Sequence, residues 1–199
     1  MITSLAPAFA EPVLESQSAF RAVMRAMSRP GIAQQLHHDL SPPAPLSAGA
    51  AIVALTLFDY ETPVWLDAAL TDAEDVARWL RFHTGAPITD NPQLAAFALI
   101  ADAAHAPDFM RFALGTPDYP DRSTTLILQV ESLSGGPSIA LKGPGIDGVQ
   151  LLSARPLPED FVRCMTDNRA LFPRGVDVLL VTDDAVAAVP RSTRIEGGA

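Results

Sequence analysis

Two residue types that often carry chemistry are nearly missing from this chain. Its 199 residues include one cysteine, Cys164, and one lysine, Lys142. A single cysteine excludes an intrachain disulfide and a cysteine-based zinc cluster, and it fits a reducing compartment. Cys164 lies among Phe161, Val162 and Met165 in a segment with helical spacing. We therefore expect a packed, inert thiol rather than a nucleophile.

Long hydrophobic runs and excess positive charge are also missing. The longest apolar stretch, residues 48–58, is far shorter than the roughly 18 residues that a membrane span needs. The first ten residues hold no basic side chain, so no secretory signal is expected and a cytoplasmic location is predicted. A net charge of −9 argues against binding to nucleic acid or to anionic membranes. Of the 14 basic residues, 13 are arginine, which indicates biased codon usage or selection for anion contacts.

The common catalytic motifs are absent from the sequence. There is no G-x-S-x-G elbow and no Walker A loop. The histidines are His37, His38, His83 and His105, and no pair has a spacing that aims two imidazoles at one metal. Asp102 and His105 could meet within one helical turn, where a loop-stabilising hydrogen bond is the expected role. We predict no metal site.

Residues 141–148 contain the one apparent phosphate-binding pattern. Gly143, Gly145 and Gly148 match G-x-G-x-x-G. A dinucleotide fingerprint needs a helix directly after the glycines, because the helix N-terminus holds the pyrophosphate. The segment that follows is short, begins with the β-branched Val149 and is bounded by Pro156, which is typical of a strand. The glycines are therefore predicted to join two strands.

Eighteen prolines and twelve glycines divide the chain into short elements. An extended arm is expected over residues 1–15, followed by a helix that Ser16 or Ser18 caps. Its apolar positions are Phe20, Val23, Met24 and Met27. Further helices are expected at 47–58, at 71–82 behind a capping box, from 107 to 114 and at 159–171. Strands are expected at 31–38, 62–66, 96–101, 124–130, 138–142, after Gly148 and at 176–182. This alternation, with one antiparallel section, predicts a single α/β domain, a three-layer αβα sandwich with a mixed sheet.

Three arginines form the clearest charged pattern. Arg21, Arg25 and Arg29 are spaced i, i+4 and i+8, so a helix places them on one face. They either lie in solvent and complement the helix dipole or face an anionic ligand or an acidic partner.

Lys142 requires a separate interpretation. A desolvated lysine can form a Schiff base with pyridoxal phosphate, and Lys142 is the one candidate in this chain. The alternative is a surface lysine or one that contacts phosphate.

Several segments together resemble the PhnH family of the bacterial carbon–phosphorus lyase system. They occur in the family's order and span nearly the whole chain. The segments are residues 20–31, 57–66, 141–148, 172–177 and 190–195.

The resemblance implies a fold and a place in a complex. The fold would be an α/β sandwich similar to the large domain of pyridoxal-phosphate-dependent transferases, without their cofactor-binding residues, so no cofactor is expected. The complex joins a phosphonate to the ribose of ATP and displaces adenine, giving a ribose 1-phosphonate 5-triphosphate. The partners would be PhnG, PhnI and PhnJ, with the nucleosidase-type chemistry on PhnI, and no catalytic residue carries over to this chain.

The leading hypothesis is a homodimeric accessory subunit of that complex. Its candidate residues, which would face a partner or the anionic substrate, are Arg21, Arg25, Arg29, Lys142, Gly143, Gly145 and Gly148. Two other hypotheses remain open: a free-standing enzyme that uses pyridoxal phosphate through Lys142, and a simple anion-binding module.

Overall fold

The elements alternate between helix and strand, as the sequence pattern predicts. The computed structural model of the protein describes residues 8–196. Its helices are α1 (Pro12–Ser28), α2 (Ala48–Leu57), α3 (Ala68–Thr71), α4 (Glu74–Thr84) and α5 (Phe161–Ala170). Its strands are β1 (Gln34–Gln35), β2 (Val64–Leu66), β3 (Phe97–Ile100), β4 (Thr125–Gln129), β5 (Ser138–Lys142), β6 (Gln150–Ser153), β7 (Asp177–Val181), β8 (Ala185–Val189) and β9 (Arg194–Glu196).

Six of the strands form a mixed sheet in the order β1-β8-β7-β4-β3-β2. Strands β2, β3, β4 and β7 run parallel, whereas β8 pairs antiparallel with β7 and β1 antiparallel with β8. The predicted α/β class and mixed sheet are confirmed.

Alternation along these strands divides the core into two clusters, one on each face of the sheet. On β4, Ile127 faces the first cluster, and Leu126 and Leu128 face the second. The first cluster is closed by α1, α2 and α4. The second is closed by α5, by the irregular segment around Phe109 and by a small second sheet. Helices therefore cover one face as expected, whereas the other outer layer is only partly helical.

The second sheet contains β5 between β6 and β9, all antiparallel. Residues 143–149 join β5 to β6, and no helix follows Gly148. The predicted strand-loop-strand connection is confirmed. Ile139 and Leu141 alternate with exposed or partly buried positions and pack into the second core cluster, so one face of this sheet is buried.

The first helix begins earlier than the sequence analysis placed it. Pro12 occupies the first turn, where its missing N–H breaks no helical bond. The Oε1 atom of Glu15 accepts a hydrogen bond from the backbone N–H of Glu11 at 2.6 Å. The predicted extended arm over residues 1–15 is wrong from residue 12 onward, and residues 1–7 lie outside the described part of the chain.

The prediction of a capping box at residues 71–74 is also wrong. Thr71 is the last residue of α3, which Asp67 caps by accepting from the N–H of Leu70 at 3.0 Å. Helix α4 then begins at Glu74 without a side-chain cap, and Gly85 caps its C-terminal end in the left-handed region.

The helix predicted after Pro107 is a single 3₁₀ turn, Phe109–Arg111. Phe109 and Phe112 are fully buried in the second core cluster, so their spacing reflects packing of an irregular segment rather than a helical period. Within residues 8–196 no helix is both long enough and apolar enough to span a bilayer.

Candidate functional site

Small residues on the inner face of α1 determine where its large side chains lie. Ala19, Ala22, Val23 and Ala26 are buried against the first core cluster. Alanine allows close approach to α2 and β8, which pack against this helix. The bulky residues of α1 are therefore displaced to the opposite face.

The predicted arginine stripe lies on that outward face. Arg21, Arg25 and Arg29 are all exposed. The guanidinium of Arg21 donates a hydrogen bond to Oε1 of Gln17 at 3.2 Å. Among the described residues none of the three arginines forms an ion pair with a carboxylate. Their positive charge is therefore not neutralised by the described part of the chain.

Apolar side chains share this exposed surface. Phe20 and Met24 are each 48% exposed and Val13 is 69% exposed. Phe20 and Met24 were expected to belong to the apolar face of the helix, and that expectation is wrong, because the alanines take that position. Of the four expected apolar positions, Val23 is buried and Met27 is partly buried.

The glycine loop contacts the end of α1. A Cβ at Gly145 would lie 2.1 Å from the backbone oxygen of Ser28, and the φ of Gly145 is +82°. Arg29 and Pro30 from the helix end and Ile146 and Asp147 from the loop line a surface cleft of about 350 Å³. The structure thus brings Arg29 to the glycine loop, whereas Arg21 and Arg25 do not line this cleft.

Lys142 lies outside that cleft. It is opposite Arg194 on the neighbouring strand, and its Nζ donates to Oε1 of Glu196 at 2.9 Å. Its side chain is 41% exposed. This is the geometry of an ion-paired surface lysine.

Gly143 and Gly148 allow the backbone to turn between β5 and β6. Both have φ in the left-handed region, at +137° and +72°. Gly143 approaches the backbone of Ser192 and Thr193, whereas nothing lies within 4 Å of a Cβ at Gly148. Gly143 thus supports a close backbone approach, and Gly148 supplies conformation alone.

The carboxyl ends of the parallel strands, where α/β sheets often bind ligands, carry polar residues with internal roles. Asp67 follows β2 and accepts hydrogen bonds from the N–H groups of Ala101 and Asp102 as well as Leu70. Asp183 accepts from Ala48 N at 3.2 Å at the start of α2, where Ser47 caps the helix. These carboxylates hold adjoining segments together.

The remaining candidate groups for chemistry are also accounted for by local contacts. Asp102 and the Nδ1 of exposed His105 are 2.8 Å apart, as one turn allows. Cys164 is buried, and burial together with nearby Asp160 raises its thiol pKa from 9.0 to about 11. Within residues 8–196 no three His, Cys, Asp or Glu residues are arranged to hold a metal.

Comparison with known proteins identifies the family. A family model described as bacterial phosphonate metabolism protein (PhnH) matches residues 7–196. The chain belongs to the PhnH family.

Two curated relatives match over most of their length. The chain is 46% identical to the alpha-D-ribose 1-methylphosphonate 5-triphosphate synthase subunit PhnH of Rhizobium meliloti (strain 1021), over 95% of this chain and 94% of the relative. It is 28% identical to the putative C-P lyase subunit protein HtxG of Stutzerimonas stutzeri, over 90% of this chain and 85% of the relative. The resemblance seen in the sequence is confirmed.

Two of the segments that carried the PhnH resemblance form a buried polar junction that the sequence analysis did not find. The guanidinium of Arg191 donates from Nε to both carboxylate oxygens of Asp177 at 3.2 Å, and from Nη2 to Oγ of Ser123 at 2.6 Å. It also donates to the carbonyl of Pro120. The Arg191 backbone N–H donates to Asp177 at 2.8 Å. This junction fixes the start of β7 to the segment after β8 and to the loop before β4.

The segment before β7 is held in a similar way. Asn168 on α5 donates from Nδ2 to the carbonyl of Val176 at 2.9 Å and accepts from its N–H at 2.8 Å. A Cβ at Gly175 would lie 2.5 Å from Oδ1 of the same asparagine. These parts of the PhnH pattern stabilise the fold. The available signal was Asp177, a carboxylate at the first position of an otherwise buried strand.

Proposed function

We propose that this chain is an accessory subunit of the complex that forms α-D-ribose 1-methylphosphonate 5-triphosphate from ATP and methylphosphonate. The observation that carries the proposal is the near full-length identity of 46% with a protein named as the PhnH subunit of that synthase. The partners would be the PhnG, PhnI and PhnJ subunits, in the cytoplasm.

The geometry supports a role in binding. The candidate residues that the structure brings together, Arg29 and the loop at Gly145, line a surface cleft that is open to solvent rather than an enclosed pocket. Arg21 and Arg25 lie on a convex helix. Such surfaces suit contact with another subunit or with an anionic group that a second subunit also holds. We assign no catalytic residue to this chain.

The proposal includes two further expectations that follow from the resemblance to the PhnH family. The chain would form a homodimer, and its sheet would correspond to the large domain of pyridoxal-phosphate-dependent transferases. The mixed sheet, mainly parallel with an antiparallel β8, is compatible with that correspondence.

The rival hypothesis, a pyridoxal phosphate enzyme, receives no support from the position of Lys142. A Schiff base lysine needs a desolvated amine, whereas Lys142 is ion-paired on an exposed sheet face. The visible absorption of the purified protein with added pyridoxal phosphate tests this directly. An aldimine band that the Lys142→Ala variant loses would restore the rival.

Reconstitution tests the proposal itself. PhnG, PhnI and PhnJ would be purified from a strain without this chain, and their product formation from ATP and methylphosphonate would be followed with and without it. We expect this chain to co-purify with them and to raise either the yield of the assembly or its rate. An assembly that forms and turns over equally without this chain would contradict the proposal. Calorimetry of this chain alone with ATP or methylphosphonate would reveal an independent anion-binding module.

A further inference from the structure

The outward side of α1 combines two kinds of side chain that a solvated helix rarely places together. We define the α1 outer face as Val13, Phe20, Arg21, Met24 and Arg25. Phe20 and Met24 are one turn apart, and so are Arg21 and Arg25, which lie beside them. All five residues are exposed, and the alanines occupy the buried side of the helix.

The composition of this face is typical of a protein interface. Aromatic residues, methionine and arginine are enriched at interface cores, and lysine and glutamate are depleted there. The face contains the first three and neither of the last two. Because α1 spans 17 residues, the face is long enough to fill a groove on another protein.

Its charge indicates which protein would bind. Arg21 contacts Gln17, and among residues 8–196 neither Arg21 nor Arg25 has a carboxylate partner. Glu15, in the first turn, hydrogen-bonds the N–H of Glu11. The face is therefore cationic on a chain whose net charge is −9. An acidic surface complements it.

The same charge argues against a second copy of this chain as the occupant. A two-fold interface uses the same patch on both subunits. Pairing through the α1 outer face would bring Arg21 and Arg25 of both copies into one patch, where like charges repel. Small anions fit poorly as well, because a convex helix does not surround them with donors.

We propose that the α1 outer face docks in an apolar groove with an acidic rim on a partner subunit of the complex named above. Phe20 and Met24 fill the groove, and Arg21 and Arg25 pair with carboxylates at its rim. This inference rests on the proposed function and goes further, because it names the surface and the chemistry of its partner.

Binding of the full chain to a purified assembly of PhnG, PhnI and PhnJ tests the inference. The Kd would be measured at low and high ionic strength for the wild type, for the double variant Arg21→Glu, Arg25→Glu and for Phe20→Ala. The double variant should raise the Kd at least about tenfold and flatten its salt dependence, because it removes the complementary charges. Phe20→Ala should raise the Kd about tenfold and leave the salt dependence unchanged.

A matched control separates the α1 outer face from net charge. Arg78 and Arg81 are exposed one turn apart on α4, so Arg78→Glu, Arg81→Glu makes the same change in charge elsewhere. It should leave the Kd within about twofold of the wild-type value. Thermal unfolding of each variant checks that the fold is intact, as we expect because the α1 positions face solvent.

Four other outcomes would contradict the inference or the proposed function. A wild-type chain that binds no partner would overturn the proposed function, and this inference with it. If both α1 variants bind the assembly as tightly as the wild type does, the inference is overturned and the proposed function stands. An α4 control that weakens binding as much as the α1 charge reversal would also overturn the inference alone. Sedimentation would measure self-association of the same variants. If the α1 variants change self-association and leave partner binding unchanged, the face belongs to an interface with a second copy and the inference is overturned.

Discussion

Arg191 and the pair Arg21 and Arg25 lie in segments of the same family pattern, yet their surroundings are opposite. The side chain of Arg191 is 15% exposed, and its guanidinium is bound by Asp177, Ser123 and the Pro120 carbonyl. Arg21 and Arg25 are exposed and have no described carboxylate partner. Both sites lie in segments that resemble the family, but only the Arg191 guanidinium has its ionic partner within the described part of the chain.

This difference separates stability from binding. Arg191 uses four of its five N–H donors inside the chain, so little hydrogen-bonding capacity is left for another molecule. An exposed arginine without a partner adds little to stability, and its donors are available to another protein. Substitutions at the two sites should therefore change different measurements.

The largest expected effect is the loss of the buried junction. Arg191→Ala should lower the free energy of unfolding by about 3 kcal/mol, because it leaves the carboxylate of Asp177 without its partner in a mostly buried site. Denaturant unfolding at neutral pH measures this. Arg191→Lys should recover only part of the loss, because an ammonium cannot reproduce the forked contacts. A loss of no more than about 0.5 kcal/mol, the size expected for Arg25→Ala, would show that the two sites contribute equally to stability.

The glycine loop extends the comparison to a position where the end of α1 meets the second sheet. Gly145→Ala should cost about 3 kcal/mol of unfolding free energy, because a Cβ there would lie 2.1 Å from the Ser28 oxygen and φ is +82°. Gly148→Ala is the matched control. Its φ is +72° and a Cβ meets nothing within 4 Å, so the cost should be about 1 kcal/mol from backbone strain alone. Equal costs would show that the contact with Ser28 adds nothing.

Much of the fold followed from local patterns. The strand at 125–129, the helix that Ser47 caps and the strand-loop-strand at the glycines all formed as predicted. Each has a signal within a few residues, such as a β-branched run, a continuous apolar segment or a glycine-rich turn.

The misses concern choices that depend on distant contacts. Phe20 and Met24 match a helical apolar face, but α1 packs closely enough to place its alanines inward. Strand β8 was not predicted, because Ala185–Val189 is short and rich in alanine and its burial depends on pairing with β7. The junction joins Arg191 to Asp177, 14 positions away, and to Ser123, 68 positions away, so its geometry depends on how separate segments pack.

Candidate binding residues were only partly recoverable for the same reason. Spacing correctly placed Arg21 and Arg25 on one exposed face, because helical geometry is local. The meeting of Arg29 with the loop at Gly145 depends on how the second sheet docks on the first, which the sequence does not reveal.

The thiol of Cys164 provides a test of burial in the second core cluster. Burial is the main cause that raises the pKa of the Cys164 thiol from 9.0 to about 11, and the carboxylate of Asp160 adds to it. At pH 8 the thiolate fraction should then be roughly 100-fold lower in the folded than in the unfolded chain. Alkylation rates with and without denaturant measure this. Because the folded thiol keeps its proton to higher pH, stability should also fall as the pH rises from about 9 to about 11. A folded thiol that reacts as fast as the unfolded one would contradict its burial.

The smallest expected effect on stability lies at the exposed arginines. Arg21→Ala and Arg25→Ala should each change the free energy of unfolding by no more than about 0.5 kcal/mol, because neither side chain has a described ionic partner to lose. Denaturant unfolding under the conditions used for Arg191→Ala provides a direct comparison. A cost near that of Arg191 would mean that the α1 arginines stabilise this chain. A negligible cost combined with weaker binding to the partner assembly would show that their positive charge acts between subunits, because a side chain that stabilises only its own fold changes both measurements together.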